Sequence, residues 1–447
     1  MKEAPQSLDD LDAVDVLIIG GGLVGLTLGL SLQDLNKNLN QPLKILLVDQ
    51  KPPAEIDPND HRTLALSFSS VKFLKALQGG EIWDRLQSLK EGMGMNPIEH
   101  LHISEAGTGS LLRLHAKDYQ DYEETDAEAF GYVVPIGLLY QILWQILLEK
   151  QEKQEIEMVC PGKVLELNSV TGEVLLETQK HQKKLKAHMI LACDGANSFI
   201  RQTLNLKIDH KDYGQSALVT SLQLGQSHEN WAFERFLPEG ILALLPLSLM
   251  QAKGGKIQGS WMGLVWVQAT EKTQESMNLS DQDLLKNLQN EFGQRLGHFL
   301  ALGPRHTYPL HKIIAKEVYE GRVLLMGNAA HAFNPVGAQG LNLALRDIAL
   351  LSELITELIR ENSHGLAIAD NLKKLFSMYL ELRREDQIQI ESMTDAMASL
   401  YGSDDIASIF MRRSLMSVLR LSRLAREKFV WTLMGKKAYS KIQERKI

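Results

Sequence analysis

The chain has 447 residues, 44% of them hydrophobic and 23% charged, enough apolar material to bury a large core in two or three structural units. A net charge of −7 offers nothing to a phosphate backbone, which excludes a nucleic-acid-binding role. The two cysteines, Cys160 and Cys193, stand far apart without a CxxC pair, so a disulfide framework and a cysteine zinc site are excluded as well.

The leading stretch MKEAPQSLDDLDAVD is acidic and polar and lacks the basic start of a secretory signal, so the expected location is cytoplasmic. DVLIIGGGLVGLTLGLSL, residues 15–32, is the most apolar run. A spanning helix needs about 20 apolar residues, and glycine weakens a helix centre by roughly 1 kcal/mol per residue. Strand, turn and helix parse the run better: a strand at Val16–Ile19, a Gly20-x-Gly22-x-x-Gly25 turn, and a helix from Leu26 to about Leu39. The first glycine permits the turn, the second lets backbone approach a pyrophosphate, and the third lets helix and strand pack closely. The helix N-terminus then presents N–H groups and positive dipole to the phosphates. LKILLVDQ closes a second strand with Asp49, 24 residues after Gly25, where a carboxylate takes hydrogen bonds from ribose hydroxyls.

Further along, DHRTLAL places Arg62 after a Pro-rich loop, and GLLYQILWQIL reads as a helix containing Gln141. In MILACDGANSFIR a buried strand runs into Asp194-Gly195, with Ser198 and Arg201 on the following turn or helix. The runs SALVTSLQL, GILALLPL and GSWMGLVWVQA between 211 and 310 read as strands of an antiparallel sheet. Its Phe233, Phe236, Trp261 and Trp266 have two readings, the lining of a passage for an isoprenoid tail or plain core aromatics. GRVLLMGNAAHAFNPVGAQGLNLALRD brings an apolar strand to Gly327-Asn328, then a Pro/Gly loop, then a long helix from about Gln339. RENSHG, 360–365, separates this region from a C-terminal helical one.

Residues 412–447 hold eleven Lys/Arg and two Glu, a net of +9 that leaves −16 on the rest. A helical wheel puts Met411, Leu415, Val418, Ala425 and Phe429 on one side and Arg412, Arg413, Arg420 and Arg423 on the other. Such a basic amphipathic helix suits peripheral contact with a membrane surface; the other reading is packing on the protein's own acidic surface, such as DYEETDAE at 121–128.

Taken in order, the glycine turn, the arginine loop, the DG segment and the GN segment with its proline and QG turn resemble the FAD-dependent aromatic hydroxylases of the p-hydroxybenzoate hydroxylase type. The stretches AFERFLPEGILALLPL, YPL at 308–310, QGLNLALRD and FGYVVPIGLLYQIL are similar to the ubiquinone-biosynthesis branch, and GNAAH to its 2-octaprenyl-6-methoxyphenol hydroxylase type. The resemblance implies an α/β fold, with a Rossmann-like FAD-binding domain at 12–85, 131–205 and 306–362. An antiparallel substrate domain at 86–130 and 206–305 is interleaved with it, and a helical region follows at 366–447. Gly20, Gly22, Gly25 and Asp49 would hold the ADP half of FAD. Arg62 and Gln141 would contact the cofactor, Asp194 and Gly195 would line its groove, and Asn328 would face the ribityl chain. The loop from Pro335 to Asn342, with Ala338, Gln339, Gly340 and Leu341, would lie along the isoalloxazine. Two departures stand out: Gly327-Asn328 where the family has Gly-Asp, and Ala338-Gln339-Gly340 where it has GQG.

The implied reaction uses NAD(P)H to reduce FAD; O2 adds at the flavin C4a carbon, and the distal oxygen of that hydroperoxide passes to the ring of a polyprenylated phenol. Other ubiquinone-biosynthesis proteins are the expected partners. The alternatives are another position of the same ring, a soluble aromatic acid as substrate, and a flavin-binding scaffold in a biosynthetic complex. No base is identified: His306 and His331 are candidates by position, against a structural role for each. The H-x-H pair His100/His102 has no third ligand, so no metal is expected.

Overall fold

The computed structural model describes residues 11–52, 62–88, 93–119, 128–179, 181–238, 240–249, 260–333, 339–361, 365–401 and 406–435. Runs such as Ile45–Val48, apolar at every position, cannot face water on either side and pair in parallel inside the protein. Strand β1, Ala13–Ile19, lies between Ile45–Val48 (β2) and Gln182–Ala192, with Glu157–Val159 beyond β2 and Val323–Leu325 beyond Gln182–Ala192, all parallel. Ile19 is level with Val48 and Ala192, and Ala192 with Leu325. The chain therefore leaves four strands along one edge, at Gly20, Asp49, Cys193 and Met326.

Helix α1 spans Leu23–Asn36, three residues ahead of the expected Leu26 to Leu39. The glycine turn itself supplies the first helical acceptor, since Leu26 N–H donates to the Gly22 carbonyl at 2.9 Å. At the far end the Asn36 amide bonds both the N–H and the carbonyl of Leu43, which turns the chain back toward β2. β1 also starts earlier than Val16, because Ala13 and Val14 already pair with Lys186 and Ala187.

Among the described residues a second, ten-stranded sheet is built around the long strand Ile208–Leu224. The expected strand runs fall on this strand, Gly240–Leu249 and Ser260–Ala269. Alternation divides its aromatics: Phe233 and Trp266 pack with Leu284, Leu288 and Phe292 on the outer face, while Phe236 and Trp261 belong to the inner one. Spacings of three and five residues on a strand place the members of each pair on opposite sides, so the four line no common passage. A three-stranded sheet of Thr63–Ser67, Gly131–Pro135 and Asn96–Ile98 covers part of the inner face.

The basic tail is two helices, Ile406–Leu421 and Arg423–Met434. Ser422 breaks the run, its hydroxyl accepting the Ala425 N–H as an N-cap. A wheel drawn through that break loses its phase. Met416, Leu419, Val430 and Met434 are the buried residues, whereas Met411 and Val418 from the expected apolar side are 56% and 51% exposed. Ala425 and Phe429 are half-buried against the inner-face core, and the side chains of Arg412 and Leu415 lie outside the described residues, as do 121–127 of the acidic stretch. Among the described residues no helix is long and apolar enough to cross a membrane.

The helices Gln339–Glu361 and Ala369–Tyr401 are joined by a buried ionic chain. Asp347, fully buried, accepts from Arg383 and from His331 Nε2 at 2.9 Å; Arg383 also donates to Asp386 at 2.6 Å, and Arg346 to Asp386 at 2.8 Å. Burial works to raise the Asp347 carboxyl, but Arg383 and His331 outweigh it and hold it well below the usual carboxylate range. Asp386 is lowered in the same sense by Arg346 and Arg383, again against its burial. Carboxylates depressed in this way stabilise the fold above their unfolded pKa of about 4 and lose that contribution as pH falls below it. Asp347→Asn, which leaves Arg383 buried beside a neutral group, is expected to lower unfolding stability by about 3–5 kcal/mol. Its thermal midpoint should change less than the wild type's between about pH 5 and pH 3, as followed by circular dichroism.

Candidate active site

The edge where the strands end is shaped by missing side chains. Gly20 has φ +105°, and a Cβ there would sit 2.5 Å from the Cys193 carbonyl oxygen. A Cβ on Gly25 would fall 1.8 Å from the Gly20 oxygen. Hydrogen alone fits at both, and the first turn of α1 is thereby pressed onto the end of β1. Gly22 differs: nothing lies within 4 Å of its absent Cβ, so the α1 N-terminus opens on free space.

Asp49 is fixed by backbone donors, one oxygen accepting the Gly21 N–H and the other the Lys51 N–H at 2.8 Å. A carboxylate has about four acceptor positions, which leaves two for a ligand's hydroxyls. A cleft of about 420 Å³ runs from Gly20, Gly22 and Asp49 past Val164 to Asp194 and Gly195. Gln141 is half-buried in the helix Ile136–Glu152; burial and the charge of Asp49 together push the phenol of neighbouring Tyr140 up to about 12. Burial and Asp194 raise the Cys193 thiol, which keeps its proton and is no nucleophile.

At the second loop Asp194 accepts the Ile200 N–H at 3.1 Å through one oxygen, and its other oxygen is buried without a partner. Gly195 has φ +85° and open space beside it. Ser198 caps the short helix Phe199–Thr203, whose Arg201 is 5% exposed. That guanidinium donates to the Ala196 carbonyl at 2.6 Å and the Ala329 carbonyl at 2.8 Å, tying the second loop to the third. In the third, a Cβ on Gly327 would lie 2.9 Å from the Val24 side chain, so this turn rests on the start of α1. Gly327 and Ala329 are buried and Asn328 between them is exposed.

Pro335 and Ala338 lie outside the described residues. The expected loop as far as Asn342 is already helix from Gln339, which is buried; Gly340 has open space at its Cβ position and Leu341 is half-buried. Asn342 accepts the Ser67 N–H at 2.8 Å and donates to the Ala65 carbonyl at 2.9 Å, so its amide clamps the strand Thr63–Ser67 to the helix. Arg62, just ahead of that strand, donates to the Tyr308 hydroxyl at 3.3 Å. The structure thus gathers Gly20, Gly22, Gly25, Asp49, Asp194, Gly195 and Asn328 along one edge, and links Arg62 to Asn342 through a strand beside it.

Of the candidate bases, His331 is bonded to Asp347 within the ionic chain, and His306 lies on the second sheet opposite Val219. Among the described residues no group of three or more His, Cys, Asp or Glu is placed to hold a metal; His100 bonds His115 at 3.0 Å and His102 bonds Arg295. The bridge of Arg201 and the clamp of Asn342 were not apparent in the sequence, where their partners lie 128 and more than 270 residues away.

An open helix N-terminus, acceptors left on Asp49 and an orphaned buried oxygen on Asp194 fit a dinucleotide with a diphosphate and several hydroxyls. The model of the FAD binding domain family matches residues 13–369. The chain belongs to this FAD-binding family. It is 29% identical over 404 residues to ubiquinone hydroxylase UbiL of Rhodospirillum rubrum, covering 90% of this chain and 84% of that one. To 3-demethoxyubiquinol 3-hydroxylase of Escherichia coli it is 26% identical over 423 residues, 94% of this chain and 98% of that one. Its fold is that of p-nitrophenol 4-monooxygenase PnpA from Pseudomonas putida, with a TM-score of 0.70 at 18% identity over 95% of this chain and 99% of that one. This member of the FAD-binding family is a flavin-dependent aromatic monooxygenase, with FAD as its cofactor.

Gly22→Ala should fold normally, since φ −72° suits alanine and the site is empty of protein atoms, yet bind FAD at least roughly tenfold more weakly because the methyl occupies the phosphate's approach. Gly25→Ala should instead fail to yield folded protein. Flavin fluorescence titration and thermal melts of the two variants check the contrast.

Proposed function

We propose that this monooxygenase hydroxylates the ring of a polyprenylated phenol in ubiquinone biosynthesis, with NAD(P)H as reductant and O2 as oxygen source. One observation carries the reading: the likeness to the two ubiquinone-ring hydroxylases extends over nine-tenths or more of the chain, substrate-side sheet included, rather than over the cofactor cradle alone. Bound and reduced FAD supplies the oxygen activation that a phenol and ground-state O2 lack.

The protein's own groups do the rest. The α1 N-terminus receives the diphosphate and Asp49 the ribose hydroxyls, while Asp194 and Asn328 take hydroxyls of the polyol chain. Asn328 accepts through its carbonyl oxygen and brings no negative charge to the cofactor. Arg62, Gln141 and the segment Gln339–Leu341 would contact the cofactor. The sheet and the strand Thr63–Ser67 position the phenol and exclude water. GNAAH favours the ring position of the 2-octaprenyl-6-methoxyphenol hydroxylase type.

A polyprenyl tail keeps the substrate in lipid, and the C-terminal helices carry a surface suited to meet it there. Phe410, Leu421 and Leu424 are 72%, 87% and 75% exposed, interspersed with exposed Arg413, Arg420 and Arg423. Apolar side chains ringed by cations fit an anionic bilayer surface. Other ubiquinone-biosynthesis proteins are further partners of the chain.

Deleting the gene in its host should make a ring-unhydroxylated polyprenyl phenol accumulate. Loss of a different hydroxyl reassigns the step, and no accumulation overturns the reading. NAD(P)H oxidation stimulated by soluble aromatic acids and not by prenyl phenols would overturn it equally. Tight FAD binding with no oxygen-dependent product from any phenol, even with partner proteins, would favour a scaffold.

For the membrane surface, the protein should float with phosphatidylglycerol vesicles and not with phosphatidylcholine ones. Leu421→Glu/Leu424→Glu should abolish flotation without loss of FAD. A dimer dispersed by the same double variant, with no flotation of the wild type, would assign the patch to self-association instead.

A further inference from the structure

Glu234 stands mid-strand in Trp231–Leu237, and alternation puts its side chain on the inner face with Ala232 and Phe236. Its cross-strand neighbours are Ala243 and Ile103, and Ala243 in turn faces Val265. The adjacent Arg235 points the other way, to the Glu291 carbonyl and the Ser104 hydroxyl. Among the described residues Glu234 makes no hydrogen bond or ion pair.

The ionisable groups around this face are otherwise placed. Tyr213 bonds Asp395, Tyr119 bonds Arg426, Glu105 lies opposite Phe236 on the neighbouring strand, and farther along the sheet His306 and Tyr308 share this face opposite Val219 and Ala217, Tyr308 accepting from Arg62. The strands Gly240–Leu249 and Ser260–Ala269 add no charge on this side, and the described residues that the C-terminal helices bury here are Met416, Leu419, Val430 and Met434. Burial is thus the sole influence on the Glu234 carboxyl and pushes it up to about 7.

Despite that enclosure Glu234 is half-buried rather than sealed, and so are Ala243, Leu245, Trp261 and Val265 on the same face. These half-buried side chains form an apolar patch of accessible surface around the carboxyl on the inner face. Its edge reaches the cofactor side: a Cβ on Gly263 would come within 2.8 Å of Thr63 Oγ1, on the strand that follows Arg62 and is clamped by Asn342. A lone carboxyl on an apolar face is costly to keep for structure, and such groups gather where protons are handled.

We infer that Glu234 receives the ring hydroxyl of the phenol, accepting its hydrogen bond and then its proton as the ring is hydroxylated. This role rests on the proposed substrate class. In the step the substrate O–H bond breaks, an O–H bond forms on the carboxylate, and the negative charge moves to the phenol oxygen, which enriches the ring carbon to be attacked. The proton returns as the product phenol leaves. A base titrating near neutrality suits such a transfer.

Glu234→Gln preserves shape and supplies the test. Hydroxylation of a prenylated phenol should fall by roughly 100- to 1000-fold. The acid limb near pH 7 should disappear from the kcat/KM profile, with FAD content and flavin reduction by NAD(P)H unchanged. The phenolate absorbance that develops on binding to oxidised wild-type enzyme should be lost in the variant. Stability offers a readout independent of turnover: a carboxyl raised in the fold costs stability progressively as pH climbs from about 4 to about 7, so the variant should melt higher than wild type at about pH 8 and alike at about pH 4. A variant matching wild type in rate and pH profile overturns the role while leaving the substrate intact. A wild-type protein that neither binds nor hydroxylates any prenylated phenol overturns the substrate, and this role with it.

Discussion

Everything at the site follows from two positions where only a hydrogen atom fits. Because Gly20 lies on the Cys193 carbonyl and Gly25 on the Gly20 carbonyl, α1 starts level with the ends of the parallel strands. Had the helix been pushed back by a methyl's width, its N-terminus would no longer face the same space as Asp49 and Asp194, and the Gly327 turn would lose its seat on Val24. The glycines provide no binding energy of their own; they set the distance at which backbone dipoles and carboxylates act together.

Around that constraint the chain uses few, specific ties between distant segments. Arg201 links the loop at Asp194 to the turn at Gly327, Asn342 links the helix Gln339–Glu361 to the strand Thr63–Ser67, and Asp347 links that helix to Ala369–Tyr401. Each is a buried polar group with its partners supplied, the condition under which such groups can be kept inside a protein. The strand Thr63–Ser67, held by Asn342, in turn meets the ten-stranded sheet, where a Cβ on Gly263 would come within 2.8 Å of Thr63 Oγ1.

Much of this was legible in the sequence where the determining contacts are local. Gly20-x-Gly22-x-x-Gly25 and Asp49 announce themselves through short spacing, and the apolar strand runs through β-branched and leucine-rich stretches bounded by turns. The break at Ser422 was also written locally, as a capping residue, but a wheel run across it put Met411 and Val418, which are exposed, on one side with Ala425 and Phe429, which pack on the core. The parity of Phe233 with Phe236, and of Trp261 with Trp266, was likewise available once the stretch was known to be strand. Asn342 was out of reach, since its partners at 65 and 67 lie on an element brought there only by the complete fold. Glu234 was visible as one of two acids in AFERFLPEG, but its isolation depends on which face of the strand is covered.

The helix Ile406–Leu421 has one further property. Met416 and Leu419 point into the core over the inner face while Val418 and Leu421, two residues after each, point out to the surroundings. Inward and outward sides of one rigid rod have no hinge between them. Whatever grips the outside of this helix therefore also bears on the core beneath it, and a change in that core that weakens the grip must in turn be opposed by the grip with the same free energy.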